Sequence, residues 1–208
     1  MTIKIISPIQ ESVAALKKNK YFATLIKKYG LPDLKRGKNH FQALVSSIIF
    51  QQLSGKAAAT IYNRFVALFG KRKKFPTPRE VLRMPVKKLR SVGLSGQKAR
   101  YLRDLAQKFS DGTIQYKILH RMSNQGIVDH LVQVKGIGEW TAHMFLIFTL
   151  NRPGILPTGD LGIKKGLQKI YGLKNLPSER TMERLAKPWR AHATVAAWYL
   201  WREADSQK

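Results

Sequence analysis

Apolar residues recur along most of the chain at the spacing of one helix face. The clearest stretch runs from His40 to about Gln52, where positions 41, 44, 45, 48 and 49 are apolar. No stretch shows the sustained period-two alternation of a half-buried strand. The pattern therefore predicts an all-α fold of roughly nine to eleven helices.

Capping residues divide this pattern into elements. Ser, Thr or Asp before an apolar-periodic stretch indicates a helix start, and Gly or Pro after it indicates an end. On these signals we expect helices that begin near positions 8, 40, 54, 77, 95, 123, 138, 160, 178 and 188. The first continues to about Tyr29 and the last to Arg202. A chain of 208 residues can form one domain or two small lobes that share a core.

The charge narrows the choice of partner. Lys and Arg number 38 against 12 Asp and Glu, which gives a net charge of +26. Such a chain repels itself and calls for a polyanion, with nucleic acid the first candidate and an anionic membrane surface the second. No apolar run reaches the roughly 18 residues of a membrane helix. Basic residues cluster at 71–74, 83–90, 98–103 and 164–165.

The absence of Cys excludes several kinds of chemistry. It removes disulfides, thiolate metal sites, iron–sulfur clusters and cysteine nucleophiles. The five His show no metal-ligand spacing, so we expect no catalytic metal and no required cofactor. The N-terminal sequence lacks a clean signal-peptide core and cleavage site, and we interpret it as mature, intracellular sequence.

A glycine-containing turn between two predicted helices suits phosphate binding. Residues 131–142 read LVQVKGIGEWTA, and the turn ends where the next helix begins. Free N–H groups and the helix dipole favour an anion there, so Gly136, Ile137 and Gly138 can present backbone donors to a DNA phosphate. Such a contact reads no sequence. The alternative is an ordinary helical hairpin with a glycine cap.

This hairpin, the LPTGD that ends at Asp160, and SSIIFQQLSGKAA at 46–58 resemble the helix-hairpin-helix DNA glycosylase superfamily, specifically the 3-methyladenine DNA glycosylase II branch. The resemblance spans about Phe41 to Trp201. It implies a two-lobed helical bundle with a cleft between lobes. Residues of about 40–125 would form a central lobe, and residues 1–39 with 126–208 a second lobe that carries the hairpin. The implied partner is double-stranded damaged DNA, bound by a monomer inside the cell and not on a membrane.

The catalytic carboxylate is expected at Asp160. Breaking an N-glycosidic bond develops oxocarbenium-like charge on the sugar, which a nearby carboxylate stabilises while it orients a water molecule. Asp160 follows the apolar Ile155–Pro157 segment, opens a helix and matches the superfamily's catalytic aspartate. The alternative is a plain N-cap, which does not exclude catalysis.

The resemblance also implies how the bond is broken. Bifunctional members carry a Schiff-base lysine two residues after the second hairpin glycine, where this chain has Trp140. An indole cannot act as that nucleophile. We therefore expect direct hydrolysis that leaves an abasic site in an intact strand.

A glycosylase flips its target base into a pocket. Trp140 and Trp198 match pocket positions in the resembled branch, and electron-poor alkylated purines stack well on such rings. The alternative is that these aromatic residues are core. The further expected pocket residues are Phe50, Gln51, Met144, Leu161 and Tyr199.

The turn at 51–54 corresponds to the segment that fills the gap left by the flipped base. The matching wedge position is Gln52, with Leu53 as the apolar alternative; an ordinary turn with solvated glutamines is the other interpretation. Lys135 stands where the family commonly has Pro, which removes rigidity and adds charge. The expected DNA-binding residues are Gln52, Leu53, Ser54, Lys135, Gly136, Ile137, Gly138 and Thr141. A monovalent cation on the carbonyls of Val132, Val134 and Ile137 is an expectation from the resemblance alone.

These features predict a monofunctional glycosylase that excises alkylated purines of the 3-methyladenine and 7-methylguanine type in base excision repair. Two alternatives stay open: a glycosylase for another damaged base, and a non-catalytic helix-hairpin-helix DNA-binding protein. The missing hairpin lysine argues against the usual oxidised-guanine enzymes, and Asp160 argues against a purely binding role.

Overall fold

The computed structural model describes residues 8–70 and 74–206. Over these ranges it contains twelve α-helices and two 3-10 helices and no β-strand, which confirms the predicted all-α class. Residues 71–73 of the first basic cluster lie outside the described ranges. The α-helices are α1 (Pro8–Leu16), α2 (Lys20–Tyr29), α3 (His40–Phe50), α4 (Gly55–Ala67), α5 (Pro78–Arg83), α6 (Val86–Ser91), α7 (Gly96–Ser110), α8 (Asn124–Leu131), α9 (Glu139–Phe148), α10 (Leu161–Tyr171), α11 (Glu179–Ala186) and α12 (Ala193–Asp205). The 3-10 helices are Leu119–Arg121 and Lys187–His192.

Side-chain caps explain where many of these helices begin. Thr77 and Glu80 form a reciprocal capping box at the start of α5. Ser54, Ser95 and Ser178 each accept a hydrogen bond from a backbone N–H of the first turn that follows. Because first-turn N–H groups have no intrahelical acceptor, a short polar side chain fixes the boundary. These predicted starts are confirmed.

The twelve α-helices of the described residues exceed the prediction of nine to eleven for two local reasons, and the last helix also starts later than predicted. The expected helix over 8–29 is divided into α1 and α2, because the Asn19 side chain caps a new helix at the Tyr21 N–H. The short α6 after Pro85 was not predicted. The last helix begins at Ala193 instead of Pro188, since Trp189 adopts non-helical angles inside a preceding 3-10 helix.

The chain forms two compact units. One comprises residues 1–36 and 146–208, called here the terminal unit, and the other comprises residues 37–145, called the central unit. The second boundary was expected near 125, which would have placed the hairpin with the chain termini. The structure groups residues 131–142 with the central unit, because α7 and the turn that follows α3 hold the hairpin through side-chain contacts described below.

Each unit has its own buried apolar interior. In the central unit, side chains of α3 and α7 such as Leu44, Ile48 and Leu102 are fully buried. In the terminal unit, α10 packs closely on α12. A Cβ at Gly166 would overlap the carbonyl group of Leu200, so only glycine permits this helix approach. In the described parts of the chain, no helix combines the length and the apolarity needed to cross a membrane.

Candidate functional site

The hairpin turn lies between Leu131, the end of α8, and Glu139, the start of α9. Gly136 has a φ of 84°, in the left-handed region that side chains disfavour. A Cβ at this position would also overlap the Tyr101 ring of α7. Ile137 is only 3% exposed and anchors the turn in the core. Gly136 is therefore required by the fold itself.

Gly138 differs from Gly136. It has no positive φ, and a Cβ built on it would meet no atom of residues 8–70 and 74–206 within 4 Å. Its carbonyl accepts the Ala142 N–H at 3.0 Å, which makes Gly138 the N-cap of α9. The positive φ and the crowding that require glycine at position 136 are therefore not found at Gly138. The open space at a helix N-terminus fits close approach by an external anion.

A carboxylate of α7 holds the turn in place. The backbone N–H of Lys135 donates to Asp104 Oδ2 at 2.8 Å, and Lys108 Nζ contacts the same oxygen at 2.7 Å. Burial opposes ionisation of Asp104, but the hydrogen bonds from Lys108 and Lys135 outweigh it and lower the pKa of this carboxyl. Proline has no N–H to donate. The departure at Lys135 thus replaces ring rigidity with a hydrogen bond.

The turn at 51–54 is held from two sides. Lys98 Nζ donates to the carbonyls of Ile49 and Gln51, both at 2.7 Å, and burial lowers the pKa of this lysine. Gln51 Nε2 donates to the Gly136 carbonyl at 2.8 Å. The turn at 51–54 and the hairpin are therefore joined by a direct hydrogen bond. Sequence reasoning missed this bracing role of α7, since Lys98 was counted only as part of a basic cluster.

The tip of this turn is exposed and conformationally unusual. Gln52 has a φ of 55°, which is uncommon for a non-glycine residue and marks local strain. Gln52 and Leu53 are both exposed, Leu53 to 40%. Ser54 is the N-cap of α4. Both Gln52 and Leu53 are accessible to a ligand, so the assignment of the wedge to one of them stays a prediction.

Four of the predicted pocket residues line one pocket in the central unit. Its volume is about 520 Å³, within the range of small-molecule sites. Trp140 is 50% exposed and Phe50 40% exposed, so two aromatic faces are available to a ligand. A larger cavity of about 720 Å³ in the same unit contains none of the predicted site residues. The lining residues are Ser46, Ser47, Phe50, Gln51, Gln52, Trp140 and Met144.

Asp160 lies in the terminal unit as the N-cap of α10. Its side chain is held by two donors on one oxygen: the Ile163 N–H at 2.8 Å and the Trp201 Nε1–H at 2.9 Å. The residue is 9% exposed. The structure therefore places the predicted carboxylate in a buried, oriented position, and the capping alternative and the catalytic hypothesis are both compatible with it.

The other predicted residues of the terminal unit fall into two groups. Leu161 is 54% exposed, and Trp198 is half-buried with the Arg202 guanidinium 4.9 Å from its ring centroid. Tyr199 is fully buried and donates its hydroxyl to the Gly30 carbonyl at 2.7 Å, and burial raises its pKa to about 12. Tyr199 is thus a core residue, and its assignment to the pocket wall is wrong.

Trp201 was missed by sequence reasoning. It lies three residues after Trp198, so the two indoles share one face of α12. The Phe148 ring stacks on it with centroids 5.6 Å apart. That shared face, together with the assignment of Trp198 to the pocket, was the available signal.

The backbone carbonyls of the hairpin are the expected ligands of a monovalent cation. The Val134 carbonyl already accepts the Ile137 N–H at 3.0 Å. A carbonyl oxygen has two lone pairs, so this bond is compatible with a cation ligand, which stays a prediction. Among residues 8–70 and 74–206, no three His, Asp or Glu side chains are grouped closely enough to bind a metal ion.

Comparisons with known proteins identify the family to which the chain is related. The profile of the HhH-GPD superfamily of base excision DNA repair proteins matches residues 45–191. DNA-3-methyladenine glycosylase 1 of Schizosaccharomyces pombe is 36% identical over 166 residues, covering 79% of this chain and 72% of that protein. The alkylbase DNA glycosidase-like protein mag2 of the same organism is 32% identical over 184 residues, covering 87% and 86%.

Solved structures show the same relationship. A DNA-3-methyladenine glycosidase from Bacillus halodurans superposes with a TM-score of 0.84 at 33% identity, covering 96% of this chain and 90% of that one. The 3-methyladenine DNA glycosylase of S. pombe in complex with abasic DNA gives a TM-score of 0.81 at 32% identity, covering 92% and 95%. This chain therefore belongs to the HhH-GPD superfamily of base excision DNA repair proteins, which confirms the resemblance found in the sequence.

Proposed function

We propose that this protein is a monofunctional DNA glycosylase that hydrolyses the N-glycosidic bond of alkylated purines in DNA, in base excision repair. The carrying observation is the buried, doubly hydrogen-bonded Asp160. The names of its relatives, DNA-3-methyladenine glycosylase and alkylbase DNA glycosidase-like protein, support the class of substrate.

Asp160 supplies the charge that the reaction needs. As the bond between C1′ and the base nitrogen breaks, the base leaves with the electron pair and the sugar gains oxocarbenium character. A carboxylate fixed in advance stabilises that charge without reorganising during the step. Water then adds to C1′ and loses a proton, and an abasic site remains. An alkylated purine is a good leaving group because alkylation at a ring nitrogen makes the ring cationic.

The central unit supplies base recognition. Trp140 and Phe50 expose aromatic surface at one pocket, and an electron-rich ring attracts a cationic base by cation–π stacking. Gln52 or Leu53 would fill the gap that the flipped base leaves in the duplex. The turn is braced by Lys98, so it can press on the duplex without folding back.

The hairpin supplies DNA affinity without sequence preference. The N-terminus of α9, open at Gly138, presents backbone donors to a phosphate. The net charge of +26 adds a large non-specific attraction to duplex DNA. At the position of the lyase lysine, Trp140 offers no amine, so hydrolysis by water is the proposed route. A monomer without a required cofactor is part of the same proposal.

The decisive experiment is to incubate the protein with methylated duplex DNA and identify the released bases by chromatography. We expect 3-methyladenine and 7-methylguanine, none from undamaged DNA, and strands that stay intact until alkali is added. Binding without release would show a non-catalytic DNA-binding protein. Release of uracil or oxidised guanine alone would show a different lesion specificity, and a borohydride-trapped adduct would overturn the direct-hydrolysis route.

A further inference from the structure

We propose that Trp201 is a positioning residue for Asp160, whose indole N–H sets the orientation of the carboxylate used in base release. The inference rests on the proposed function, because it assigns a role to Trp201 within that reaction. The observation behind it is the 2.9 Å hydrogen bond from Trp201 Nε1 to Asp160 Oδ1.

Two hydrogen-bond donors to one carboxylate oxygen restrict the orientation of the Asp160 side chain more than a single donor would. The Ile163 N–H belongs to the same helix as the cap and approaches Oδ1 at 2.8 Å. The Trp201 N–H comes from α12 and approaches the same atom from a second direction. A side chain with both bonds has little freedom to rotate about its Cα–Cβ and Cβ–Cγ bonds. Reaction rates depend steeply on such alignment, since small displacements of a catalytic group can cost large factors.

The space for the indole is made by a glycine. A Cβ at Gly162 would lie 2.8 Å from Trp201 Cδ1, 3.2 Å from Nε1 and 3.1 Å from Asp160 Oδ1. Any other residue there would press on both partners of the hydrogen bond. The first turn of α10 therefore accommodates this contact as well as the cap.

The helix that carries Trp201 is itself anchored close to that residue. Lys28 Nζ and Tyr29 OH both donate to Glu203 Oε2, at 2.9 and 2.7 Å, and Lys169 Nζ donates to the Glu203 carbonyl at 2.8 Å. Glu203 lies two residues after Trp201, so α12 is fixed to α2 and α10 beside the indole.

An indole is chemically suited to this task. It donates one hydrogen bond, accepts none and carries no charge. A Lys or Arg at the same point would form an ion pair with Asp160 and offset the negative charge that must face the sugar cation. This chain has 38 Lys and Arg, yet the α12 side chain that donates to the carboxylate oxygen is the neutral Trp201. The donor from α12 therefore adds orientation without adding a positive charge.

The test is Trp201→Phe, which keeps an aromatic ring beside Phe148 and removes the N–H. Single-turnover base release at saturating enzyme should fall roughly 10- to 100-fold, on the scale of one lost hydrogen bond to a charged group, while affinity for abasic DNA is unchanged. The matched control is Trp189→Phe, which removes an indole N–H bond to Tyr171 OH in the same unit. That control should lose stability but release base within about threefold of the wild-type rate.

A second variant keeps the inference testable if Trp201→Phe folds poorly. Replacing Trp201 alone with 3-benzothienylalanine retains the shape of the indole and replaces N–H with sulfur, and we expect the same loss of rate. If both variants release base at the wild-type rate while Asp160→Asn is inactive, the positioning role is overturned and the proposed function stands. If the wild-type protein releases no base, the proposed function fails first.

Discussion

Asp160 and the central-unit residues proposed to contact DNA differ in their exposure to solvent. Asp160 is 9% exposed, and the Ile163 and Trp201 N–H groups that donate to its side chain both belong to the terminal unit. Trp140 and Leu53 are 50% and 40% exposed, and their rings or side chains face solvent. A group that stabilises charge must be oriented before the substrate arrives, whereas a group that recognises DNA must be accessible to it.

The glycines of the two regions show the same difference. Gly162 and Gly166 are needed because the protein's own atoms crowd them. Among the described residues, no atom crowds a Cβ at Gly138, so its small size leaves room for a ligand at the start of α9. Gly162 and Gly166 are thus required by packing within the protein, whereas the open position of Gly138 suits contact with a ligand.

The largest expected effect is at the buried carboxylate. Asp160→Asn keeps the size of the side chain and an oxygen that can cap α10, but removes the charge. We expect base release to fall by a factor of roughly 10³ or more, the scale of losing a principal catalytic group. Affinity for abasic DNA should change little. The measurement is single-turnover release at saturating enzyme, with thermal unfolding as the control for the cap; near-normal turnover would show that Asp160 is only a cap.

The second largest expected effect is that of salt concentration, which should change DNA affinity strongly and the rate of base release weakly. Each phosphate neutralised by a cation contributes about −0.9 to the slope of log affinity against log salt, and with four to eight such contacts we expect a slope of about −4 to −7. The rate of base release at saturation should depend far less on salt, because Asp160 is buried and weakly screened. Affinity and single-turnover rates over one salt series test both halves. A flat affinity series would mean that the charge serves something other than DNA.

Much of this arrangement could be predicted from sequence because it depends on local signals. Ser54, Thr77 and Asp160 indicate helix starts because their side-chain oxygens accept hydrogen bonds from first-turn N–H groups. The spacing of the glycines indicates the hairpin. What could not be predicted depends on contacts between distant positions. Trp201 can donate to Asp160 only because α12 lies against α10, and Tyr199, one position from Trp198 on the helix, faces the core.

The predicted domain boundary near residue 125 was wrong for the same reason, because the true boundary depends on contacts between distant positions. Residues 131–142 look like part of the C-terminal half in the sequence. Asp104 and Gln51, far away along the chain, attach them to the central unit. A pattern within one segment carries no information about such partners.

Gly138→Thr should have an effect of about tenfold on affinity. Thr can replace Gly as the N-cap of α9, so stability should be retained, while its β-branched side chain fills the space offered to a phosphate. Damaged and undamaged DNA should weaken equally, on the scale of one lost charge-assisted hydrogen bond. The contrasting variant, Gly136→Ala, should instead lower stability through overlap with Tyr101 and its positive φ. Loss of lesion preference in Gly138→Thr at constant affinity would mean that the hairpin reads damage.

The smallest expected effect is at Lys135. Lys135→Pro introduces the residue common in the family but removes the N–H that Asp104 accepts, so we expect a loss of about 1 kcal/mol in the free energy of unfolding at pH 7. Lys135→Ala keeps the N–H and is the matched control. Burial raises the pKa of Asp104, but the hydrogen bonds from Lys108 and Lys135 together lower it. The contribution of the Lys135 bond is therefore present above the ordinary value of 3.8 and is lost as pH falls through the lower folded value. The difference between the two variants should therefore shrink in urea unfolding at about pH 3, and it should also shrink in an Asp104→Ala background. A loss that persists under both conditions would come from proline strain in the turn, and equal stability of the two variants at pH 7 would mean that Gly136 and Tyr101 hold the hairpin without help from Asp104.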